Sequence, residues 1–395
     1  MMLQSAMQKR FLAVLLFAAM TFCCFTAPVF AAEGGTARIT LPQIEVPCRT
    51  AVLMSLDTGE ILYEKQPDIE VPVASITKVM TLLLTLEAVE AGKIAMTDIV
   101  PISTHAYEMG GSQIWLEPGE QFTLDELVKA ICVCSANDAA VAVAEFVGGS
   151  EPVFAEMMNT RAKELGMTHS HFVNACGLDE PNHYSSARDV ALMSQALLKH
   201  PKILEYSGIW MDTLRGGATQ LTNTNKLLKS YTGITGLKTG TTSQAGVCIS
   251  ASAVRDGMGL LAVILGAASG KERFSAATTL LDYGFATYEI AAFPLLAAAP
   301  QEIAVAHGMP QTAQLDYRMP EKILMRKGEG KTLQAQAGLP QALTAPVEAE
   351  TEIGTVTLSL GTQSLASYPV TVKNAIPKMD FSAALSLLTK ALFSL

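Results

Sequence analysis

The chain has few charged residues, few aromatic residues and no cluster of positive charge. Of its 395 residues, 16% are charged, 6% are aromatic and 49% are hydrophobic, and the formal net charge is −9. An acidic chain without a segment rich in lysine and arginine lacks the electrostatic pattern of proteins that bind nucleic acid. The hydrophobic content is sufficient for one large or two medium domains with substantial cores. We therefore expect a globular protein that does not bind nucleic acid.

Paired cysteines are missing as well. Five of the seven cysteines lie beyond residue 31, and they form an odd, widely spaced set: Cys48, Cys132, Cys134, Cys176 and Cys248. Such a set does not match a disulfide framework, and it lacks the CxxC pairs of a structural zinc site. We therefore predict free thiols, mostly packed in the interior, with no metal ion and no cofactor.

The N-terminal segment has the three parts of a secretory signal peptide. Lys9-Arg10 form a basic start, Phe11–Phe25 is apolar and uncharged, and Val29-Phe30-Ala31 supplies a cleavage site. An uncleaved membrane anchor is the alternative, but the apolar run is short for a membrane span. We expect residues 1–31 to be removed after secretion across the cytoplasmic membrane, and residues 32–47 to form a linker.

Residues 48–292 show strand patterns at both ends and helix patterns between them. The predicted strands are Thr50–Leu56, Ile61–Tyr63, Ile234–Lys238, Gly246–Val254 and Gly259–Leu265. The predicted helices are, approximately, Ser75–Ala91, Leu124–Cys134, Asp138–Phe146, Ala187–Lys199 and Lys271–Tyr283. Strands that are distant in sequence are expected to meet in one sheet. We predict an α+β domain with an antiparallel sheet flanked by helices.

The composition changes near Phe293. Short alternating runs, separated by glycine and proline, then predict a small all-β domain over residues 293–373. These runs are Ile303–Ala306, Thr312–Tyr317, Lys322–Met325, Thr332–Ala335, Gly354–Leu360 and Ser367–Val372.

Residues 374–395 predict a terminal amphipathic helix. Phe381, Leu385 and Leu388 fall on one face, with serine and threonine residues on the other. The segment is too short and too polar to span a bilayer. It either lies in the membrane interface with its apolar face in lipid or docks on the protein. We favour the membrane surface, because a helix that follows a β domain has little core to join. The protein is then expected to be peripheral on the outer face of the cytoplasmic membrane.

Ser75-Ile-Thr-Lys78 places a serine and a lysine three residues apart at a predicted helix start. Residues at i and i+3 share a helix face, so Lys78 Nζ is within reach of Ser75 Oγ. A serine hydroxyl needs a base to become a nucleophile, and a lysine serves when burial and nearby positive charge lower its pKa. We expect Lys238 to supply that charge. By itself the pattern is weak, since roughly one or two are expected by chance at ordinary composition.

Ser135-Ala136-Asn137 interrupts two predicted helices. Asn137 is expected to be the N-cap of the second helix, because asparagine is favoured at that position. Its side-chain amide is also suited to orient Lys78 and a substrate amide, and the Ser135 hydroxyl is suited to relay a proton. In isolation, an ordinary helix cap is the simpler interpretation.

Lys238-Thr239-Gly240-Thr241 ends a predicted strand. A cation and a hydroxyl at a strand edge suit a substrate carboxylate, and Gly240 allows close approach of a substrate backbone that pairs with the edge. The backbone N–H groups of Ser75 and Thr241 are expected to form an oxyanion hole.

In this order, the three motifs match the signature of penicillin-binding proteins and class A β-lactamases. The chain resembles the low-molecular-mass penicillin-binding D-alanyl-D-alanine carboxypeptidases, the serine-type S11 peptidases, over nearly all of its length after residue 31. The resemblance extends to Gly110-Gly111-Ser112, Leu116-Glu117-Pro118-Gly119, Phe172-Val173-Asn174 and His183–Asp189. It implies a β-lactamase/transpeptidase-like domain followed by a small all-β domain and a C-terminal amphipathic helix.

The resemblance also implies an activity: an acyl-enzyme on the serine, loss of the terminal D-alanine from peptidoglycan stem peptides, and acylation by β-lactam antibiotics. The implied catalytic residues are Ser75, Lys78, Ser135 and Asn137, and the implied substrate-binding residues are Lys238, Thr239, Gly240 and Thr241. No cofactor and no metal ion are implied.

Two departures from the family pattern concern single positions. Ala136 stands where glycine is common, and residues 223–226 hold no arginine of the kind that some members place there to bind carboxylate. His183 is expected to support the fold rather than act as a base. A D,D-endopeptidase, a β-lactamase and a non-catalytic penicillin sensor remain as alternatives. The β-lactamase is disfavoured because no Glu-x-x-Leu-Asn follows Asn137.

Overall fold

The computed structural model describes residues 44–293 and 299–393. The predicted signal peptide and residues 32–43 of the predicted linker lie outside the described residues. The described chain forms two compact units. The larger contains residues 44–293 together with Arg318–Ala335, and the smaller contains Pro300–Tyr317 and the residues from Gln336 onward. The domain limits derived from composition stay predictions.

The strands of the larger unit come from both ends of its sequence. They are β1 (Thr50–Ser55), β2 (Ile61–Lys65), β3 (Ile99–Val100), β4 (Phe122–Thr123), β5 (Met211–Leu214), β6 (Thr219–Thr222), β7 (Ile234–Thr242), β8 (Gly246–Arg255), β9 (Met258–Ala267) and β10 (Tyr288–Ala292). The later strands are β11 (Glu302–Ala306), β12 (Thr312–Tyr317), β13 (Lys322–Arg326), β14 (Leu333–Gly338), β15 (Ala342–Thr344), β16 (Glu352–Leu360) and β17 (Gln363–Val372).

Most of the helices lie between β2 and β7 in sequence. They are α1 (Lys78–Glu90), α2 (Thr104–Tyr107), α3 (Leu124–Val133), α4 (Asn137–Gly148), α5 (Glu151–Glu164), α6 (Ala187–Leu198), α7 (Leu204–Ser207) and α8 (Leu227–Ser230). Two more follow: α9 (Gly270–Thr287) and α10 (Phe381–Phe393). Short 3₁₀ turns occur at Ala74–Thr77, Pro201–Ile203, Arg215–Gly217 and Glu329–Thr332.

The central sheet has five strands in the order β2-β1-β9-β8-β7, and all of its neighbours are antiparallel. Alternate residues of β1 face opposite sides, as the period of a strand requires. Val52 and Met54 join the core of α1, α3, α4 and α6, while Ala51 and Leu53 join the core under α9. This is the predicted antiparallel sheet flanked by helices, and its pairing of β1 with β9 joins the two ends of the larger unit.

Helix α5 was not among the predicted helices. Its start carries ordinary signals, since Ser150 accepts a hydrogen bond from the Val153 backbone N–H and Pro152 lies in the first turn. Its apolar pattern is interrupted by charged residues, which lowers the contrast between its two faces. Phe154 and Met158 are nevertheless fully buried against the core.

The break between α3 and α4 corrects the expected role of Asn137. Ala136, not Asn137, is the N-cap residue of α4, and Asn137 is the first helical residue. Its side chain makes no cap hydrogen bond because both ends of its amide are engaged elsewhere, with Lys78 and with the Gly110 carbonyl. The prediction that Asn137 is the N-cap was wrong, because tertiary contacts with Lys78 and Gly110 use its side-chain amide.

Strand β7 is longer than predicted. It continues to Thr242, so Lys238, Thr239 and Gly240 lie within the strand rather than at its end. Residues Thr239 to Thr242 pair with Ile249 to Gly246 of β8, which supports the motif along its whole length. The motif therefore stands on a rigid sheet edge, since β7 is the outer strand of the central sheet.

The smaller unit contains a mostly antiparallel sheet in the order β14-β16-β17-β12-β11-β15. Five of the six predicted β runs take part in it. The sixth, at Lys322–Met325, pairs instead with β10 in the larger unit. The sequence pattern of a strand carries no information about its partner, so this pairing with β10 could not be predicted from the run itself.

Helix α10 follows a segment that is attached to the smaller unit. Ile376 exchanges backbone hydrogen bonds with Val347, and the Met379 N–H donates to the His307 carbonyl. From Phe381 onward, exposed apolar side chains include Phe381, Leu385 and Leu388. Across the described parts of the chain, the structure holds no helix that is both long enough and apolar enough to cross a bilayer.

Candidate active site

Ser75 lies on the 3₁₀ turn Ala74–Thr77, directly before α1. The turn begins with a positive φ of +51° at Ala74, a conformation that is uncommon outside glycine. Ser75 is half-buried, whereas Lys78, the first residue of α1, is fully buried. Lys78 Nζ lies 2.9 Å from Ser75 Oγ. The predicted i, i+3 pair is therefore in contact, although Ser75 precedes the α-helix rather than beginning it.

The Lys78 amine has three partners, which is as many as an amine can hold. Besides Ser75 Oγ, Nζ lies 2.6 Å from Asn137 Oδ1 and 2.7 Å from the Cys176 carbonyl oxygen. These two oxygens can only accept hydrogen bonds. A neutral amine has two N–H groups and one lone pair, so it donates to both oxygens and presents its lone pair to the Ser75 O–H. The arrangement suits a general base.

Burial lowers the pKa of Lys78 to about 8. The expectation that the charge of Lys238 produces this shift is not supported, because desolvation is the cause that lowers this pKa. The relation runs the other way: the pKa of Lys238 falls well below its usual value, first through burial and then through the charge of Lys78. Both amines are fully enclosed, so protonation of either one is costly.

Asn137 connects the second motif to the first. Its Oδ1 accepts from Lys78, while its Nδ2 donates to the Gly110 carbonyl at 2.7 Å. The backbone N–H of Asn137 donates to the Ser112 carbonyl at 2.7 Å. Because Nδ2 must face a carbonyl, the amide is held with its oxygen toward Lys78.

Ser135 connects the second motif to the third. It has a positive φ of +66° in the break between α3 and α4, which turns its buried side chain toward the sheet. Its Oγ accepts a hydrogen bond of 2.8 Å from Lys238 Nζ. Lys238 Nζ also donates to the Thr239 carbonyl. The serine hydroxyl is thus kept beside an amine, as a proton relay requires.

Strand β7 approaches the Ser75 turn closely at Gly240. A Cβ atom at this position would lie 2.9 Å from both the Ser75 nitrogen and the Val73 carbonyl oxygen. A side chain at residue 240 would push the strand away from Ser75. The backbone N–H groups of Ser75 and Thr241 are therefore carried by segments in direct contact, which is the placement an oxyanion hole needs.

Two comparisons by sequence place the chain among known proteins. The model of the D-alanyl-D-alanine carboxypeptidase family, peptidase S11, matches residues 37–269, and that of the penicillin-binding protein 5 C-terminal domain matches residues 297–378. The D-alanyl-D-alanine carboxypeptidase DacF of Bacillus subtilis is 40% identical over 94% of this chain and 96% of its own length. DacA of Escherichia coli is 31% identical over 92% of this chain and 93% of its own length.

This chain belongs to the S11 family of D-alanyl-D-alanine carboxypeptidases. Solved structures agree with that assignment. Penicillin-binding protein 5 of Haemophilus influenzae covers 86% of this chain and all of its own, with 32% identity and a TM-score of 0.77. Penicillin-binding protein D2 of Listeria monocytogenes, in its ampicillin-bound form, covers 62% of this chain and all of its own, with 33% identity and a TM-score of 0.57. The predicted family, α+β fold and serine carboxypeptidase activity are confirmed.

Three groups beside the S11 motifs were not predicted from the sequence. The Cys176 carbonyl holds Lys78, and backbone carbonyls have no sequence signal. Thr224 Oγ1 lies 2.6 Å from Thr239 Oγ1. Arg273 is buried and donates through Nη1 to the carbonyls of Gly240 and Cys248. Arg273 follows the third motif in sequence, whereas the family pattern led us to look for a carboxylate-binding arginine before that motif, at residues 223–226. The sequence signal that could have identified Arg273 is its charge within the apolar pattern of α9.

His183 lies at the back of the Ser75 turn. Its Nδ1 accepts from the Val173 N–H at 3.1 Å, and its Nε2 is 2.7 Å from Thr77 Oγ1. Since Nδ1 accepts, the ring proton is on Nε2 and is donated to Thr77. Burial lowers the pKa of His183 to about 4, so the ring is neutral at pH 7. These contacts hold the turn and do not involve Ser75.

Within residues 44–293 and 299–393, no group of three or more histidine, cysteine, aspartate or glutamate side chains is arranged to hold a metal ion. The five cysteines beyond residue 31 are all free thiols, as predicted.

A substitution at Gly177 tests whether the loop after Asn174 must lie directly against the Ser75 turn. Its φ is +85°, and a Cβ atom would lie 2.0 Å from the Ala74 carbonyl oxygen. Gly177→Ala should displace the loop that carries the Cys176 carbonyl and slow acylation by penicillin about 10²-fold, as expected for a misplacement of about 1 Å. The rate is measured by intact-protein mass spectrometry.

The matched control is Gly166→Ala. Gly166 has a similar φ of +75°, but a Cβ atom there meets nothing within 4 Å. Gly166→Ala should lose about 1 kcal/mol of unfolding free energy through backbone strain. Gly177→Ala should lose more, because its Cβ atom also meets the Ala74 carbonyl, and only Gly177→Ala should lose acylation. Equal acylation rates in the two variants would contradict the assigned role of the loop.

Proposed function

We propose that this S11 carboxypeptidase removes the terminal D-alanine from peptidoglycan stem pentapeptides through an acyl-enzyme on Ser75. The observation that carries the proposal is the buried Lys78 amine, whose Nζ lies 2.9 Å from Ser75 Oγ and within hydrogen-bond distance of two carbonyl oxygens. In its neutral form this amine donates to the two carbonyl oxygens and has its lone pair available for the Ser75 proton.

In acylation, Ser75 Oγ attacks the carbonyl carbon between the two D-alanines as its proton passes to Lys78 Nζ. The developing oxyanion accepts hydrogen bonds from the backbone N–H groups of Ser75 and Thr241. The C–N bond then breaks, and the proton reaches the leaving amine through the hydroxyl of Ser135. Hydrolysis reverses the roles: Lys78 takes a proton from water as the water oxygen bonds to the acyl carbon, and the Ser75 ester bond then breaks as that proton returns from Lys78 to Ser75 Oγ.

The terminal carboxylate is assigned to Lys238 and Thr239. The buried Lys238 amine pays a desolvation cost for its charge, and an incoming carboxylate offsets that cost by pairing with it. Arg273 adds positive charge nearby, since it contributes to lowering the pKa of Lys238. The Lys238 amine beside Thr239, with the charge of Arg273 behind the strand at the Gly240 carbonyl, favours a substrate with a free C-terminus over an internal peptide bond. This preference separates a carboxypeptidase from an endopeptidase.

β-Lactam antibiotics are proposed to acylate the same serine. The relatives with bound ampicillin and cefotaxime support this proposal, since both belong to a penicillin-binding protein that is about one third identical to this chain. A strained cyclic amide presents the same carbonyl to Ser75 and a carboxylate to Lys238 and Thr239. Slow hydrolysis of the resulting ester would make the drug an inhibitor.

Ser75→Ala should abolish both D-alanine release from a diacyl-D-Ala-D-Ala peptide and covalent labelling by penicillin, because Ser75 is the proposed nucleophile for both. The control is Ser112→Ala, which removes an exposed hydroxyl near the site and should retain both activities. D-Alanine is measured enzymatically and labelling by intact mass. Persistent labelling of Ser75→Ala would place the nucleophile elsewhere, and rapid drug turnover by the native chain would indicate a β-lactamase.

The rate of acylation should rise with pH and level off above about pH 8. The sign follows from the chemistry: the base must be the neutral amine, and burial lowers the pKa of Lys78 to about 8, so the active fraction grows about tenfold per pH unit below that value. Lys78→Ala should acylate about 10²–10⁴-fold more slowly and lose this dependence. A flat profile for the native enzyme between pH 6 and pH 9 would remove Lys78 as the titrating base.

We also propose that the mature protein is extracytoplasmic and peripheral on the outer face of the cytoplasmic membrane, held there by α10. The exposed Phe381, Leu385 and Leu388 support a membrane contact, because large apolar side chains at the end of a chain gain by entering lipid. The signal-peptide pattern of residues 1–31 supports the location.

The membrane contact is tested by binding of the full mature chain to vesicles of phosphatidylethanolamine and phosphatidylglycerol. Leu385→Ser with Leu388→Ser should reduce the bound fraction at least about tenfold, since each buried leucine contributes roughly 1.5–3 kcal/mol. The matched control, Ser382→Ala with Ser386→Ala, changes two other exposed residues of α10 and should bind normally. Equal binding by both double variants would exclude α10 as the anchor.

A further inference from the structure

Trp115 is a solvent-exposed tryptophan in a strained backbone conformation. Its side chain is 72% exposed, the largest exposure among the large apolar side chains described in the larger unit. Its φ is +53°, a conformation that is uncommon and strained for a residue other than glycine. Trp115 lies in the loop between α2 and β4, outside the machinery assigned above.

The backbone on both sides of Trp115 is held by the buried carboxylate of Asp138. The N–H groups of Ile114 and Leu116 donate to Asp138 Oδ2 at 3.0 and 3.1 Å. Asp138 also accepts from the Ala139 N–H within α4. The loop is thereby attached to the helix that begins with Asn137.

Arg215 holds the same loop from the opposite side. All five of its N–H groups are used: Nη1 and Nη2 donate to the carbonyls of Ile114 and Trp115, a further Nη1 N–H to Thr219 Oγ1, and Nε and Nη2 to the two carboxylate oxygens of Glu120. Arg215 itself has a φ of +51°. Two residues with positive φ therefore share one hydrogen-bond network, which holds the backbone of Trp115 while its indole ring is exposed to solvent.

A cavity of about 440 Å³ adjoins the indole. Its lining is mostly polar and includes Glu117, Glu120, Thr219 and Gln220 beside Trp115 itself. The guanidinium of Arg215 also borders it, but that cation has no free N–H group left for a ligand. The cavity thus presents carboxylate, hydroxyl and amide groups next to one flat aromatic face.

The cavity lies close to the proposed active site. The Ser112 carbonyl accepts the backbone N–H of Asn137, and the side chain of Asn137 contacts Lys78. Trp115 is three residues beyond Ser112, a separation of at most about 10 Å along the chain. A stem pentapeptide extends about 17 Å when fully stretched, so its sugar-linked end can reach this region while its other end is at Ser75.

We propose that Trp115 and the adjoining cavity bind the amino-sugar backbone to which the stem peptide is attached. The inference rests on the proposed function, since it places the remainder of the same substrate. The C–H face of a pyranose ring packs on an indole, and sugar hydroxyl and N-acetyl groups match the carboxylates, hydroxyl and amide of the cavity.

The charges of the cavity favour a neutral sugar over an anionic polymer. Arg215 and Glu120 form an ion pair, so Glu117 leaves the lining with a net negative charge that would repel phosphate groups. The polar lining equally disfavours an apolar peptide, which would leave those groups without partners. A sugar can pack its C–H face on the indole and form hydrogen bonds with the polar groups that line the cavity.

The first test is binding, and it does not require turnover. The sequence contains two tryptophans, Trp115 and Trp210, so Trp210→Phe and Trp115→Phe form a matched pair of single-tryptophan proteins. Titration with the disaccharide N-acetylglucosaminyl-N-acetylmuramic acid, without peptide and with its lactyl carboxyl capped as the neutral methylamide, should change the fluorescence of Trp210→Phe and leave that of Trp115→Phe constant. An unchanged signal in Trp210→Phe up to millimolar disaccharide would overturn the inference, whether or not the protein releases D-alanine.

The second test separates the sugar site from the chemistry. With a disaccharide-pentapeptide, Trp115→Ala should raise KM about fivefold without changing kcat, corresponding to the loss of one aromatic contact. With the same pentapeptide lacking sugar, both constants should equal those of the native enzyme. Trp115→Tyr should restore most of the affinity, and Leu204→Ala, which removes another exposed apolar side chain, should have no effect.

The outcomes are distinguishable. Native D-alanine release with identical KM values for both substrates, unchanged by Trp115→Ala, contradicts the sugar site and leaves the carboxypeptidase intact. A sugar-dependent fluorescence change without D-alanine release contradicts the proposed function and retains the sugar site. A fluorescence response to the sugar-free pentapeptide, but not to the disaccharide, would identify a peptide site instead and overturn the inference.

Discussion

The site depends on one buried amine. Lys78 is enclosed at the start of α1, and its three contacts come from the nucleophile turn, from Asn137 and from the Cys176 carbonyl. An amine in this environment is costly to charge, so burial alone shifts its pKa into the range where it serves as a base near neutral pH. The surrounding elements must deliver two acceptors and a hydroxyl, because an amine without partners would destabilise the fold.

Three separate parts of the chain converge on that amine. Strand β7 reaches the Ser75 turn only because Gly240 has no side chain, and the loop at Gly177 reaches it for the same reason. The break between α3 and α4 turns Ser135 toward Lys238 and Asn137 toward Lys78. Asp138, next in sequence, continues the network outward to the Trp115 loop, which Arg215 holds from its other side. The side chains around Lys78 and the loop that carries Trp115 thus belong to one hydrogen-bond network.

Most of the fold could be predicted, and the errors have physical reasons. Periodicity located the five strands of the central sheet, because their buried faces are continuous. Helix α5 was missed because charged residues interrupt its apolar stripe, and the pairing of Lys322–Met325 with β10 was not predicted because a strand pattern does not identify its partner. Asn137 was expected to cap α4, yet its amide is used by Lys78 and Gly110. At this position, tertiary hydrogen bonds outweigh the local preference of asparagine for the N-cap.

The sequence by itself determined the family and the chemistry proposed for it: the residue types and order of three motifs point to a nucleophile, a base, a relay and a carboxylate-binding strand. Side-chain identity is local information, so no folding argument was needed. Only the tertiary structure decided the direction of the electrostatic effect between Lys78 and Lys238, the role of the Cys176 carbonyl, the contact of Arg273 with the Gly240 strand, and the support of Trp115. Desolvation and backbone hydrogen bonds depend on which distant segments meet, and residue spacing along the chain does not contain that information.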